Sequence, residues 1–192
     1  MLRKVSYKIG TPMKKIGDLI PVGKTTLLHG RSGSGKTLSL LKYLIDNGET
    51  PCYIDFDTND EYDSMALEHI DGFKLIDHIK TNGTVILDEL KNKVIVIDTY
   101  AMANGYIEQE LSDKLENFIK KLISLKSTVI VIAHTTYFSG KPAEPNVDIV
   151  FANHVACKLH LHNDVKKTKT DIYLEVEKLR GMDSKIINDW MR

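Results

Sequence analysis

Eight consecutive residues, Gly30-Arg31-Ser32-Gly33-Ser34-Gly35-Lys36-Thr37, constrain this chain more than any other feature. They meet every required position of the phosphate-binding pattern G-x-x-x-x-G-K-[ST]. The setting agrees: the apolar run Thr25-Thr26-Leu27-Leu28 precedes them, and a helix-like run over 37–46 follows. Glycines let backbone N–H groups turn inward around a polyphosphate, and the next helix presents its positive end to the same anion. In that geometry Lys36 reaches the β- and γ-phosphates and the Thr37 hydroxyl ligates Mg²⁺. The whole stretch is therefore expected to bind a nucleotide. Gly23-Lys24-Thr25 imitates the motif, but Asp18 stands where its first glycine would have to be, so it is a decoy.

Composition narrows the setting. At 192 residues the chain is expected to be a single domain over 1–192, 42% hydrophobic and 27% charged, which suits a soluble globular protein. No stretch approaches a membrane span. Met1-Leu2-Arg3-Lys4 lacks the apolar core of a secretion signal. Cys52 and Cys157 lie in apolar runs and read as reduced thiols, so a cytoplasmic location is expected. Net charge is zero, and any nucleic-acid binding must then come from a local basic patch.

Residues 1–23, basic and interrupted by Gly10, Pro12, Gly17 and Pro21, read as an irregular arm and lead-in. Leu38, Leu41, Leu44 and Ile45 recur at helical spacing, and Asn47-Gly48 is a helix stop. A second strand over 52–57 ends in Asp55 and Asp57. Helical signals return over 60–70, and 73–76 reads as a short strand. Val85-Ile86-Leu87-Asp88 and Val94-Ile95-Val96-Ile97-Asp98 both look like the strand that brings a metal-holding aspartate to the phosphates. They lie too close for neighbouring parallel strands, which need a crossover of about a dozen residues. The choice falls on Asp98, with 84–90 left as a short helix.

Ile107, Leu111, Leu115, Phe118, Leu122 and Leu125 predict a long amphipathic helix. Val129-Ile130-Val131-Ile132-Ala133 is a further buried strand, ending in His134-Thr135-Thr136, and 136–148 reads as a loop. Strict alternation then sets in, and a C-terminal region over 151–181 is expected to be an antiparallel hairpin with a basic tip of Lys166, Lys167 and Lys169. Apolar strands alternating with helices predict an α/β fold with a mostly parallel sheet flanked by helices and finished by that hairpin. Ligands bind at the carboxyl ends of such strands, where Asp57, Asp98 and His134 converge. His160 and His162 share a strand face with Lys158, but no third ligand stands at a metal spacing, so the pair reads as an ordinary strand face.

Order and spacing resemble the RecA-like P-loop ATPases, including RecA, the DnaB-type helicases and the KaiC-like group. The resemblance rests on the acidic end of the second strand, on Val131-Ile132-Ala133-His134-Thr135 and on Lys178-Leu179-Arg180-Gly181, with Gly17-Asp18-Leu19-Ile20-Pro21 as lead-in. At this size the chain looks most like compact phage proteins of that type, some implicated in recombination and single-strand annealing. A host-cytoplasmic location would follow. The resemblance implies ATP hydrolysis with Mg²⁺ held by Thr37 and Asp98, and a homo-oligomeric ring or filament. Asp57 would position the attacking water, although the family usually has a glutamate there and Asp55 and Asp60 are rivals. His134 would sense the γ-phosphate, unless it is a satisfied core histidine. Lys178 and Arg180 would act on the neighbouring subunit's nucleotide. Single-stranded DNA would meet Tyr137, Phe138 and Lys141 and the tip lysines. A packaging or helicase motor and a KaiC-like regulator of a protein partner stand as alternatives. A small-molecule kinase is disfavoured, because no arginine-rich lid segment is present.

Overall fold

The computed structural model describes residues 6–8, 20–56, 62–75, 77, 89–99, 109–136, 144–145, 147, 151, 154–166 and 169–179. Among them nine strands form one sheet: β1 Ser6–Lys8, β2 Thr25–Gly30, β3 Cys52–Asp55, β4 Glu68–Asp71, β5 Val94–Asp98, β6 Thr128–Thr136, β7 Glu144–Pro145, β8 Cys157–Lys166 and β9 Lys169–Leu179. The order across the sheet is β1-β9-β8-β2-β6-β5-β3-β4, with β7 pairing β6 off this path. From β8 to β4 every pairing along the path is parallel, and β1 and β9 add the antiparallel end.

Two helices cover opposite faces. Helix α1, Lys36–Asp46, places Leu40, Leu41 and Leu44 against Leu28, Val96, Ile130, Ile132, Leu159 and Leu161. Helix α2, Gln109–Ser124, places Leu115, Phe118, Ile119 and Leu122 against Leu27, Ile95, Ile97, Val129 and Val131. Strand neighbours alternate between these layers, so β5 over Val94–Ile97 and β6 over Val129–Ala133 are apolar on both sides and read as unbroken hydrophobic runs. Each fully buried leucine or isoleucine contributes about 1.5–3 kcal/mol. Cys52 and Cys157 are free and buried, one in each layer, and burial pushes both thiols up to about 12. No helix among the described residues is long and apolar enough to cross a membrane.

The α/β architecture and the C-terminal hairpin match the expectation, and four local readings do not. Residues 68–71, read as helical, form edge strand β4, in register with β3 from Cys52↔Glu68 to Asp55↔Asp71. The apolar spacing mistaken for a helix belongs to Tyr62, Met65 and Leu67, which pack on the α1 layer. Residues 73–75, part of the 73–76 run read as a strand, are helical because the Asp71 carboxylate accepts from the N–H groups of Phe73 at 3.0 Å and Lys74 at 3.1 Å, the pattern of a helix N-cap. Within the arm, Ser6–Lys8 is not irregular but pairs with β9, satisfying backbone groups that an open edge would leave unpaired. Strand β6 ends at Thr136 as expected, but Glu144–Pro145, inside the stretch read as a loop, forms β7 and pairs with its end. The decoy Gly23 is a turn whose N–H donates to Thr128 Oγ1 at 2.8 Å. Residues 84–88 lie outside the described residues.

Candidate nucleotide site

Strand β2 carries Gly30 to the carboxyl edge of the sheet, between β6 and β8. A side chain is not tolerated there: a Cβ on Gly30 would sit 2.5 Å from the Leu161 carbonyl oxygen. The loop then turns through Gly35, at φ +81°, into α1, a conformation that glycine adopts without steric cost. The first turn of α1 holds no acidic residue, and no side chain caps it. Its N–H groups and positive dipole end therefore remain available to an anion.

Lys36 is buried, and its Nζ donates to the carbonyls of Gly30 at 3.2 Å and Arg31 at 2.7 Å. Burial lowers its pKa, and the nearby Asp98 carboxylate opposes that shift. Thr37 donates its hydroxyl to Asp98 Oδ2 at 2.5 Å, and the Tyr53 hydroxyl donates to the same oxygen at 3.2 Å. A cleft of about 200 Å³ opens over these groups, lined by the loop, by Tyr53 and Tyr62, and by Asp98, Thr99 and His134. A hydroxyl and a carboxylate side by side are the hard oxygen donors that Mg²⁺ prefers. The donor set thus fits that ion.

His134 lies half-buried on β6 as the register partner of Gly30, and it faces the cleft. Asp55 is buried beside Asp98, its register partner on β5. His69 Nε2 stands 3.5 Å from Asp55 Oδ2, and His69 Nδ1 stands 3.3 Å from Asp63. Asp57, Asp60, Tyr137, Phe138, Lys141, Lys167 and Arg180 lie outside the described residues. Lys166 and Lys169 are register partners at the end of the hairpin. Because β8 runs parallel to β2 and Leu161 is level with Gly30, the hairpin continues beyond the phosphate loop, by about 16 Å at the usual rise of a strand. Lys178 pairs with Lys158, which is level with Leu27, so β9 ends toward the opposite edge of the sheet.

Tyr53 and Tyr62 were not singled out from the sequence. Tyr53 sits in a strand whose Cys52 and Ile54 pack under the other face. A polar-tipped aromatic at the alternate position, two residues before the acidic strand end, was the available signal. No signal marked Tyr62.

The same fold occurs in a KaiC-like protein from the hyperthermophilic archaeon Pyrococcus horikoshii OT3. The match covers 95% of this chain and 91% of that one, with a TM-score of 0.65 and 19% identity. No family model matches the sequence, and no curated protein does. At that identity the likeness establishes the fold, a RecA-like α/β architecture, and the chemistry rests on the residues of the cleft.

Proposed function

We propose that this chain is a Mg²⁺-dependent, RecA-like ATPase that assembles into a ring or filament and acts on single-stranded DNA, in phage recombination, single-strand annealing or replication. One observation carries the ATPase reading: Thr37 and Asp98 meet at 2.5 Å beside the buried Lys36, under an uncapped helix end. Lys36 would exchange its two loop carbonyls for the β- and γ-phosphates of the substrate. Thr37 and Asp98 would hold Mg²⁺, which supplies charge neutralisation across the same phosphates. Asp57 would orient and polarise the attacking water, and His134 would contact the γ-phosphate from the β6 side.

Two features support the oligomer and the polynucleotide. Lys178 lies on a strand that ends away from its own phosphate loop, so Lys178 and Arg180 are assigned to the nucleotide of a neighbouring subunit. The hairpin strands continue beyond the ligand edge to Lys166 and Lys169, and the basic tip and the loop carrying Tyr137, Phe138 and Lys141 would meet single-stranded DNA there. The shared fold with a KaiC-like protein favours one alternative, a nucleotide-gated regulator of a protein partner. Steady-state ATP hydrolysis measured with and without single-stranded DNA, alongside sizing in ATP, separates them. Stimulation by DNA together with ATP-dependent assembly supports the proposal. Hydrolysis indifferent to DNA but raised by a protein transfers the chain to the regulatory class, and no Mg²⁺-dependent hydrolysis at all overturns the ATPase reading.

A further inference from the structure

Under the α2 face of the sheet, away from the nucleotide cleft, three strands bring together groups that the sequence keeps far apart. His29 of β2 and His160 of β8 are register partners, both buried, with rings stacked at 4.3 Å and 24°. Glu177 of β9 joins them through an irregularity in the ladder. Leu159 pairs with Val176 and Lys158 with Lys178, so Glu177 is the extra residue of a β-bulge. Glu175 is the register partner of His160, so Glu177, two residues further on, shares that face, and the extra residue shifts it along the ladder beside the two rings. Glu177 Oε2 stands 3.0 Å from His29 Nε2, and Oε1 stands 3.4 Å from His160 Nδ1.

We propose that His29, His160 and Glu177 form a binding site for one divalent transition-metal ion of the Zn²⁺ class. The three ligand atoms lie within 4.8 Å of one another. Tetrahedral coordination with metal–nitrogen and metal–oxygen bonds of about 2.0–2.2 Å separates ligand atoms by about 3.3–3.5 Å. The two histidines now meet different oxygens of Glu177, so binding requires the carboxylate to turn and the three ligand atoms to draw in from separations of up to 4.8 Å. Two imidazoles with one carboxylate select Zn²⁺, Cu²⁺ or Ni²⁺ over Mg²⁺. A metal on His29 Nε2 requires Nδ1 to carry the ring proton, and Thr135 Oγ1 stands 3.0 Å from Nδ1 to accept it. Such an outer contact orients a ligand histidine. Burial also lowers the pKa of His29 and favours the neutral, ligating ring.

Lys158 is the competitor. Its Nζ is 2.9 Å from Glu177 Oε2, the oxygen nearest His29. Burial alone would raise the Glu177 carboxyl, but hydrogen bonds from His160, His29 and Lys158 hold it well below the usual carboxylate range. Without a metal, Lys158 is the neighbouring cation on that carboxylate. With a metal, it swings outward on its flexible stem and leaves the fourth position to water. The site is independent of ATP hydrolysis and stands whether or not the chain turns over nucleotide.

The test uses the untagged full chain, stripped with chelator and titrated with Co²⁺ and Zn²⁺ in millimolar Mg²⁺. Saturation at one ion per chain is expected, with visible Co²⁺ bands and no thiolate charge-transfer band, which separates this site from Cys52 and Cys157. Glu177→Gln and His160→Gln should each weaken binding at least about tenfold, and Thr135→Val should weaken it by about 10–100-fold, as losses of an outer contact do. Lys158→Met should tighten it. That last sign is the decisive one, because a cluster held together only by Lys158 and a ring proton gains no metal affinity when the lysine is removed. Absence of saturable binding to the wild-type chain overturns the proposal, as does unchanged affinity in folded Glu177→Gln or weaker affinity in Lys158→Met.

Discussion

Two neighbouring residues of β2 belong to two different kinds of place. Gly30 opens a loop whose polar groups come from one contiguous stretch, completed by Asp98 and Tyr53. His29, one residue earlier, faces the other way into a cluster whose partners are Thr135, His160 and Glu177, the last 148 positions away. The loop is local chemistry: spacing alone places a lysine, a hydroxyl and a row of N–H groups around one anion. The cluster is register chemistry, made by which strands pair and by where one ladder slips. A contiguous site survives as a pattern in a sequence, whereas a register site exists only once the sheet is built.

The largest expected effects break the loop side of this comparison. Lys36→Ala should bind ATP weakly and lose turnover, and Asp98→Asn should keep the fold while losing Mg²⁺-dependent hydrolysis. A finger supplied in trans is worth about 10³–10⁵ in rate, so Arg180→Ala should be nearly as inert. Mixing Arg180→Ala with Lys36→Ala chains should restore part of the activity, since one supplies an intact loop and the other an intact finger. Flat specific activity on dilution, with no rescue in the mixture, would remove the finger from the neighbouring site.

Next comes the water-positioning carboxylate. Asp57→Asn should bind ATP and hydrolyse it slower by about 10²–10⁴, the range for loss of a general base. Asp55→Asn should be milder, because Asp55 is buried in a contact with His69. Rates from the two variants decide the matter: a dead Asp55→Asn beside an active Asp57→Asn moves the base two residues upstream.

A smaller effect tests the seam between the two regions. Gly30→Ala would press a methyl group to within 2.5 Å of the Leu161 carbonyl oxygen, and backbone cannot step aside as a flexible side chain can. A destabilisation of about 1–3 kcal/mol is expected. That lowers the melting midpoint by about 2–4 °C per kcal/mol in a domain of this size. A midpoint unchanged from wild type would show that β8 does not hold the loop from behind.

How much of this was readable beforehand follows the same division. The loop, Asp98 and the buried strands β5 and β6 all show up in short windows, because those two strands are apolar on both faces and stand out from their neighbours. Strand β4 did not, since an edge strand with exposed Glu68 and His69 carries no apolar signature, and its pairing with β3 is a property of the assembled sheet. The helical turn after it was written in Asp71, whose capping of Phe73 and Lys74 outweighs the strand-like Phe73. His160 was visible as half of an H-x-H pair. Its partners were not, because alternation gives the face of His29 and Glu177 but not the pairing of β2, β8 and β9 that gathers them.

The smallest effect concerns a group at the nucleotide site that the sequence reading passed over. The Tyr53 hydroxyl, buried in the α1 layer, donates to Asp98 Oδ2 at 3.2 Å, the oxygen that also accepts from Thr37. Burial, followed by the Asp98 and Asp55 carboxylates, raises its pKa far above any working pH, so it acts only as a donor. Hydrogen bonds to a charged group contribute about 1.5–3 kcal/mol, but the shared acceptor keeps its partner Thr37 when Tyr53 is truncated. Tyr53→Phe should therefore cost near the lower end, an increase of roughly tenfold in the Mg²⁺ concentration that half-saturates hydrolysis, since 1.4 kcal/mol is a factor of ten. The maximal rate at saturating Mg²⁺ should stay close to wild type, because a positioning contact for Asp98 is not a contact with the reacting phosphate. A lower maximal rate with an unchanged Mg²⁺ requirement would instead place the tyrosine against the substrate and make it part of the loop's own chemistry.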